Sequence, residues 1–314
     1  MLGRTAGGLT WMARYIERAE NTARLVEAGQ RIALTRRDAA ASEWAAVVTA
    51  AGVREIFEAR HGPAYDASHA VDFLLRDPAN ASSALASVEA ARTNARAVRT
   101  AITREVWEGI NECWLDMSAA MRRPVPEAEL PDLLDRLRRS GSLVRGAILG
   151  TMLRDARFRF LRLGTALERA DNTARILDVK YHVLLPRSAD VGGPLDAAQW
   201  EQLMFAMHVR RAYLMIHGPE YRADTVAEFL LLNPRMPRSL VFCADTVREH
   251  LEGLEAELDQ HHEVTARAGE LAERLRGYDV EDVFRIGLHE FLTGTIGEIA
   301  DFSDAIGAAY RFDA

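Results

Sequence analysis

The densest chemistry in this 314-residue chain lies in a nine-residue stretch that occurs twice. Glu17-Arg18-Ala19-Glu20-Asn21-Thr22-Ala23-Arg24-Leu25 recurs as Glu168-Arg169-Ala170-Asp171-Asn172-Thr173-Ala174-Arg175-Ile176, with seven positions identical. On a helix turning about 100° per residue, Arg14, Glu17, Asn21 and Arg24 share one stripe. Met12, Ile16, Ala19, Ala23 and Val26 take the other side. Glu168, Asn172 and Arg175 form the matching stripe of the second stretch, with Thr165 in the place of Arg14. A freely solvated face gives no reason for such a match, because surface substitutions cost little.

Two chemistries suit the stripes. Guanidiniums hold carboxylate or phosphate groups through paired, charge-assisted bonds, and carboxylates orient them or bind an amine. One expectation is therefore a cleft in which Arg24 and Arg175 bind an anionic group while Glu17 and Glu168 set their geometry. Arg14, Arg18 and Asn21 from the first stretch, and Arg169 and Asn172 from the second, complete its lining. The other expectation is a buried polar network, each Glu accepting from the Arg seven residues on and from partner helices, which fixes helix register.

A second constellation has Arg92, Arg96 and Arg99 at helical spacing, followed by Trp107-Glu108-x-x-Asn111. Arg92 has a counterpart in Arg248, whereas Trp107-Glu108-x-x-Asn111 has none in the second half, as an asymmetric site would require. Glu17, Glu168 and Glu108 are the candidates for acid/base work. The alternative for Trp107 and Glu108 is core packing and a surface charge.

Metal and cofactor chemistry finds little footing. Carboxylate-bridged metal pairs in helical bundles use Glu-x-x-His on two helices. Glu58-x-x-His61 runs into a Gly-Pro turn, and Asp66-x-x-His69 is unmatched in the second half. Glu17-x-x-Glu20 and Glu168-x-x-Asp171 offer oxygen alone, suited to Mg²⁺ at best. No Walker, Rossmann, HExxH or nucleophile-elbow pattern occurs, so neither metal nor cofactor is expected. His289-Glu290 is the most plausible titratable pair of the last helix. Cys113 and Cys243 fit neither a disulfide framework nor a zinc site.

The elements that must position these residues all read as helices. Apolar residues at three-and-four spacing predict a helix from Thr5 to about Arg37, then Glu43–Glu58 ending at His61-Gly62-Pro63, and a short one near Asp66–Leu75. Ser82 or Ser83 caps a long helix to about Met121. The second half repeats the scheme at Arg157–His182, Ala197–Ile216, Asp224–Leu232 and Ser239–His262, and Val280–Tyr310 follows. Gly62-Pro63-x-Tyr65 matches Gly218-Pro219-x-Tyr221, Trp44 matches Trp200, and Ser83 matches Ser239. The expectation is an all-α, multi-helix bundle: one domain over 1–314, built from duplicated halves of about 1–121 and 151–314 around a pseudo-twofold axis. Residues 122–140 serve as linker.

Composition narrows the partners. A formal net charge of −7 argues against a general nucleic-acid binder. Lys180 is the one lysine, so nearly every positive charge is a guanidinium. No apolar run is long enough for a membrane span or a signal core, which points to a soluble cytoplasmic protein. Leu203, Phe205, Met207 and Met215 suggest apolar surface beyond what one bundle buries, and hence a possible homo-oligomer.

Trp11-Met12-Ala13-Arg14-Tyr15-Ile16-Glu17-Arg18-Ala19-Glu20-Asn21-Thr22-Ala23-Arg24 resembles the signature of the bacterial alpha-E domain family. Thr151-Met152-Leu153-Arg154-Asp155, Phe160 through Asp171, Leu177-Asp178-Val179-Lys180-Tyr181, Trp107-Glu108-x-x-Asn111 and His289-Glu290-Phe291-Leu292 resemble it too. Thr165-Ala166 departs from the larger or charged residues common there. The resemblance implies a partner: a circularly permuted ATP-grasp protein, often with a transglutaminase-like protease and a proteasome-related hydrolase nearby. ATP-grasp enzymes join carboxylates to amines, so it implies an accessory protein in making or modifying a peptide-like amide. The alternatives are an enzyme using its Glu residues in amide formation or transfer, and a purely structural helical scaffold.

Overall fold

Long proline-free stretches rich in Ala, Leu and Arg favour helix, and all regular structure among the described residues is helical. The structure is a computed structural model that describes residues 2–35, 40–182 and 191–313. The first half runs through α1 (Gly3–Ala33), α2 (Ala40–Ala50), α3 (Arg54–His61), α4 (Ala67–Leu75), α5 (Ala84–Ala97), α6 (Arg104–Ala120) and α7 (Leu130–Thr151). The second runs through α8 (Ala156–His182), α9 (Pro194–Ala206), α10 (Arg210–His217), α11 (Ala223–Ala227), α12 (Leu240–Leu258), α13 (Glu263–Gly277), α14 (Val280–Ile286) and α15 (Leu288–Ala309). Among the described residues, no helix is long and apolar enough to cross a membrane.

The motif helices α1 and α8 lie against each other at the centre. Around α1 pack α5, α7 and α9; around α8 pack α12, α15 and α2. Each central helix thus takes one neighbour from the other half. Between Ala6 and Gly29, α1 is buried nearly all round, its polar stripe included. This corrects the expectation of an apolar face opposed to an open polar one. The contact is tight at Gly164: a Cβ there would stand 2.2 Å from the Thr10 carbonyl oxygen.

Boundaries moved where the backbone turns. The helix expected over Glu43–Glu58 is two, parted at Gly52 (φ +72°), and the one over Ala197–Ile216 is parted at His208 (φ +56°). Ser83 and Ser239 do cap helices, accepting from Ala86 N (3.3 Å) and Phe242 N (3.0 Å). The helix that Ser83 starts ends at Ala97, however, and α6 begins afresh at Thr103, whose hydroxyl caps it. Val280–Tyr310 is broken at Gly287 (φ +100°). Residues 130–140 of the expected linker are the first half of α7, and α13 was not foreseen. Both bury residues at three-and-four spacing: Leu130, Leu133, Leu134 and Leu137 in α7, and Val264, Ala268, Ala272 and Leu275 in α13.

The recurring Gly-Pro-x-Tyr sequences close a ring cluster built the same way in each half. Tyr65 stacks on Phe57 (5.1 Å between centroids), and Phe57 meets Phe73 edge-on (5.3 Å). Tyr221 stacks on Tyr213 (5.0 Å), and Tyr213 meets Phe229 edge-on (5.6 Å). Leu203 and Met207 are buried in the chain's own core, contrary to the expectation that they mark an oligomer surface. Met215 is exposed, and Phe205 is flanked by the Arg31 and Arg210 guanidiniums.

Gly164→Ala should destabilise the chain by about 1–3 kcal/mol, because backbone must retreat from the new methyl. Gly146→Ala, on the exposed face of α7 with no atom near its Cβ, should instead stabilise by roughly 0.5–1 kcal/mol. Denaturant midpoints of the two variants check the opposite signs.

Candidate functional site

The two Glu-Arg dipeptides are joined crosswise. Arg169 of α8 grips Glu17 of α1 with both edges of its fork, Nε to Oε1 and Nη2 to Oε2 each at 3.0 Å. Arg18 of α1 grips Glu168 of α8 the same way, Nε to Oε1 at 2.5 Å and Nη2 to Oε2 at 3.0 Å. Both carboxylates are sealed from solvent. Burial alone would push them towards neutrality, but the guanidiniums overcome it. Arg169, Arg238 and Arg145 hold the Glu17 carboxyl far below the usual range, and Arg18 and Arg14 hold that of Glu168 below it. Both are therefore ionised at neutral pH, with no proton to donate.

Around Glu17 the charges fill the space. Arg145 of α7 reaches both Glu17 (3.2 Å) and Glu20, and Arg238, before α12, reaches Glu17 (3.4 Å) and Glu20 (3.3 Å). Arg24 bonds Glu20 (2.5 Å) and the Ala206 carbonyl (3.3 Å). Glu17 therefore does not orient Arg24, as the stripe geometry suggested; the partner is four residues back. Four guanidiniums meet two carboxylates here, and burial beside Arg24 and Arg169 pulls Arg238 down to about 9. Asn21 donates weakly to the Glu168 carbonyl (3.5 Å), and its Oδ1 has no hydrogen-bond partner among the described residues.

Around Glu168 the arrangement starts the same and ends differently. Arg175 bonds Asp171 (2.7 and 3.1 Å) and the Ala50 carbonyl (3.3 Å), repeating the Arg24 pattern. Arg14 adds a bond to Glu168 (2.9 Å) and one to Ser303. Thr165, in the place of Arg14 on α8, turns its hydroxyl back to the Leu161 carbonyl (3.0 Å). Among the described residues, no arginine from outside α1 and α8 bonds Glu168, as Arg145 and Arg238 bond Glu17. The residue before the cap Ser239 is Arg238, but the residue before the matching cap Ser83 is Ser82. A cavity of about 280 Å³ is left, lined by Arg14, Arg18, Arg175, Glu168, Asp171, Asn172, Asn80, Ser82 and Gly52 among others. Three cations against two anions make its wall net positive. A larger cavity of about 460 Å³, between Trp44, Val71, Leu75 and Val125, contains none of the stripe residues.

The second constellation is elsewhere. Arg92 donates to Asn111 (2.8 Å) and lies over the Trp114 ring (4.2 Å), tying α5 to α6. Trp107 lies under Arg99 (4.7 Å), Arg96 is exposed, and Glu108 pairs with Arg104 on the outer surface (2.6 Å). Since α6 packs on α5 and α7, these residues brace the bundle and do not join the motif pairs. Cys113 and Cys243 are buried, and burial raises their thiols to about 11 and about 12, leaving both inert. Sequence reasoning missed Arg145 and Arg238, which no spacing links to Glu17. It also missed the meeting of Asp178, His182 and His289. Asp178-x-x-x-His182 is legible as a one-turn pair, but its third member, His289, lies 107 residues further on and no spacing links the two histidines.

Glu17→Gln should cost about 3–5 kcal/mol, since it strands buried guanidiniums, while Glu108→Gln should stay within ~0.5 kcal/mol. Urea titrations of both decide it. Glu17, Glu20, Glu168 and Glu27, the last held at about 2, all sit below the ordinary 4.5. As pH falls from 4.5 towards 2 the unfolded chain takes up protons that the folded one refuses, so stability must fall across that window. Glu17→Gln should flatten that fall, measurable by thermal melts across the acid range.

Two relatives align with nearly the whole chain: uncharacterized protein Mb2597 of Mycobacterium bovis and uncharacterized protein MT2643 of Mycobacterium tuberculosis. Each is 25% identical over 329 aligned positions, covering 97% of this chain and 36% of the relative. The chain thus spans about a third of the length of the curated relatives it matches. No solved structure matches it. The family model that matches residues 1–310 is Alpha-E, described as a predicted alpha-helical domain with a conserved ER motif. Glu17-Arg18 and Glu168-Arg169 are Glu-Arg dipeptides of that kind, and the chain belongs to the Alpha-E family.

Proposed function

We propose that this chain is a binding module. It takes a small carboxylate-bearing, peptide-like ligand in the cavity beside Glu168 and serves an ATP-grasp amide ligase that makes or modifies a peptide-like product. The observation that carries the reading is the cavity itself: Arg14, Arg18 and Arg175 converge on it with Asn172, and Ser82 stands where Arg238 fills the other side. A net-positive wall favours a carboxylate, and the Asn172 amide and Ser82 hydroxyl suit a neighbouring amide. The ligase is suggested by the family resemblance. It is in keeping that the matched stretch is about a third of each longer mycobacterial relative, since a module that serves a partner can be joined to further sequence. Such work places the protein in the cytoplasm, where ATP is available. A transglutaminase-like protein is a further possible member of the same assembly.

The acid/base alternative has less support. Glu17 and Glu168 are held ionised by bidentate arginines, and Glu108 stands on the surface of α6. The scaffold alternative draws on a specific observation: both carboxylates on the Glu17 side are answered by arginines from several elements, which is architecture. Both descriptions hold for different sides of the same pair of helices, one braced and one open.

Ser82→Arg transplants the filling residue of one side to the other. It should keep the fold and weaken binding of free amino acids and dipeptides at least about tenfold, one charge-assisted hydrogen bond being worth ~1.5–3 kcal/mol. The probes are free amino acids, dipeptides and their C-terminal amides, read by thermal shift and calorimetry. Carboxylate-bearing probes that stabilise the wild type and not Ser82→Arg support the reading; no response to any probe in the wild type overturns it. Co-purification of the ATP-grasp partner with the wild-type chain tests the assembly separately.

A further inference from the structure

The C-terminal end of α8 and the first turn of α15 bring together three groups that the cavity does not use. His289 Nδ1 lies 2.6 Å from Asp178 Oδ1, and His182 Nε2 lies 3.2 Å from Asp178 Oδ2. One ligand atom from each of the three residues lies within 4.8 Å of the others. We propose that Asp178, His182 and His289 form a binding site for a divalent transition metal ion, of the two-imidazole, one-carboxylate kind.

The donor set has the right chemistry. Two borderline nitrogens and one hard oxygen suit Zn²⁺ or Fe²⁺ and do not suit Mg²⁺ or Ca²⁺, which prefer oxygen alone. Bonds of about 2.0–2.2 Å put ligand atoms roughly 3–3.5 Å apart, so side-chain rotation suffices to close the set. Asp178 and His182 stand one turn apart on the same helix face. Gly287, in the left-handed region at φ +100°, ends α14 and starts α15 so that His289 falls in its first turn. Tyr181 stacks flat on the His289 ring (3.9 Å between centroids, 6° between planes) and fixes its orientation. The carboxylate is nearly dry, with 9% of its side chain exposed, whereas each imidazole is 26% exposed. An ion can therefore enter from the histidine side, and three protein ligands leave a coordination position open.

The first half shows what the same place becomes when only charge balance is needed. Glu27, the residue of α1 that matches Asp178 in the repeat, is held by Arg31 one turn on (2.9 Å) and by Arg138 of α7 (2.6 Å), with the exposed His208 imidazole farther off at 3.5 Å. Guanidiniums neutralise a carboxylate permanently and cannot ligate a metal. At Asp178 the two imidazoles of His182 and His289 stand there instead, and their ring nitrogens can ligate a metal ion. Glu27 keeps two arginines beside its one histidine, whereas Asp178 has two histidines beside it, and two imidazoles with a carboxylate are a donor set that a metal ion can use.

The test is independent of the cavity. The chain, stripped with a chelator, is titrated with Zn²⁺ by calorimetry and with Co²⁺ by visible absorption. One equivalent of Zn²⁺ should bind, and Co²⁺ should give ligand-field bands. His289→Ala and His182→Ala should each weaken Zn²⁺ at least about tenfold, while His250→Ala, which leaves this cluster untouched, should not. Asp178→Asn, which keeps the hydrogen-bonding shape, guards against loss through misfolding: circular dichroism should match the wild type while Zn²⁺ binding falls. Failure of the wild type to bind an equivalent of Zn²⁺, or unchanged binding in both histidine variants, would overturn the proposal.

Discussion

A carboxylate sealed between two helices must have its charge answered from within the protein, and that demand organises this bundle. Glu17 and Glu168 sit where α1 meets α8, each closed to water, and each is answered by the arginine that follows the other. Neither half can satisfy its own glutamate this way, because Arg18 and Arg169 point across the interface. Register follows directly: sliding α8 by one turn along α1 would strand two buried anions and two buried cations. The close approach at Gly164, where backbone nearly touches backbone, belongs to the same geometry.

From that crossing outward the two sides diverge. Glu17 and Glu20 gather Arg145 and Arg238 from other elements and leave no room. Glu168 receives Arg14 from its own interface, Asp171 is held by Arg175, and the place of Arg238 belongs to a serine. The difference between a packed ion cluster and a polar cavity thus follows from Arg145 and Arg238, which reach Glu17 and Glu20 on one side, and from the serine in the place of Arg238 on the other. A similar divergence separates Glu27, with two arginines and one histidine, from Asp178, with its two histidines. In both places a matched framework carries an architectural version and a chemically open version of one arrangement.

The polar groups nearest to that crossing are unsuited to proton transfer. Carboxyls held well below their ordinary range by bidentate arginines neither donate a proton nor take one at neutral pH. The groups that line the cavity beside that crossing are Asn172, Ser82, Arg14, Arg18 and Arg175, and they are the ones the proposed ligand would meet.

Much of this was legible before any coordinates. Helical periodicity, the caps at Ser83 and Ser239, the recurring Gly-Pro-x-Tyr closure and the doubled Glu/Asn/Arg stripe are local patterns, and helices form from local patterns. The pairing partners were not legible. Within one helix Glu17 offers Arg24, but in space it meets Arg145, Arg169 and Arg238, which lie 128 to 221 residues further along the chain on three separate elements. Periodicity also could not tell that the polar stripe of α1 would be as buried as its apolar one, since burial depends on how many neighbours surround a helix. The chain alone determined which side chains were worth watching. Tertiary packing decided which of them answer each other's charge and which are left facing a space, because Coulomb attraction and exclusion of water act across distance in three dimensions and leave no mark in spacing along the chain.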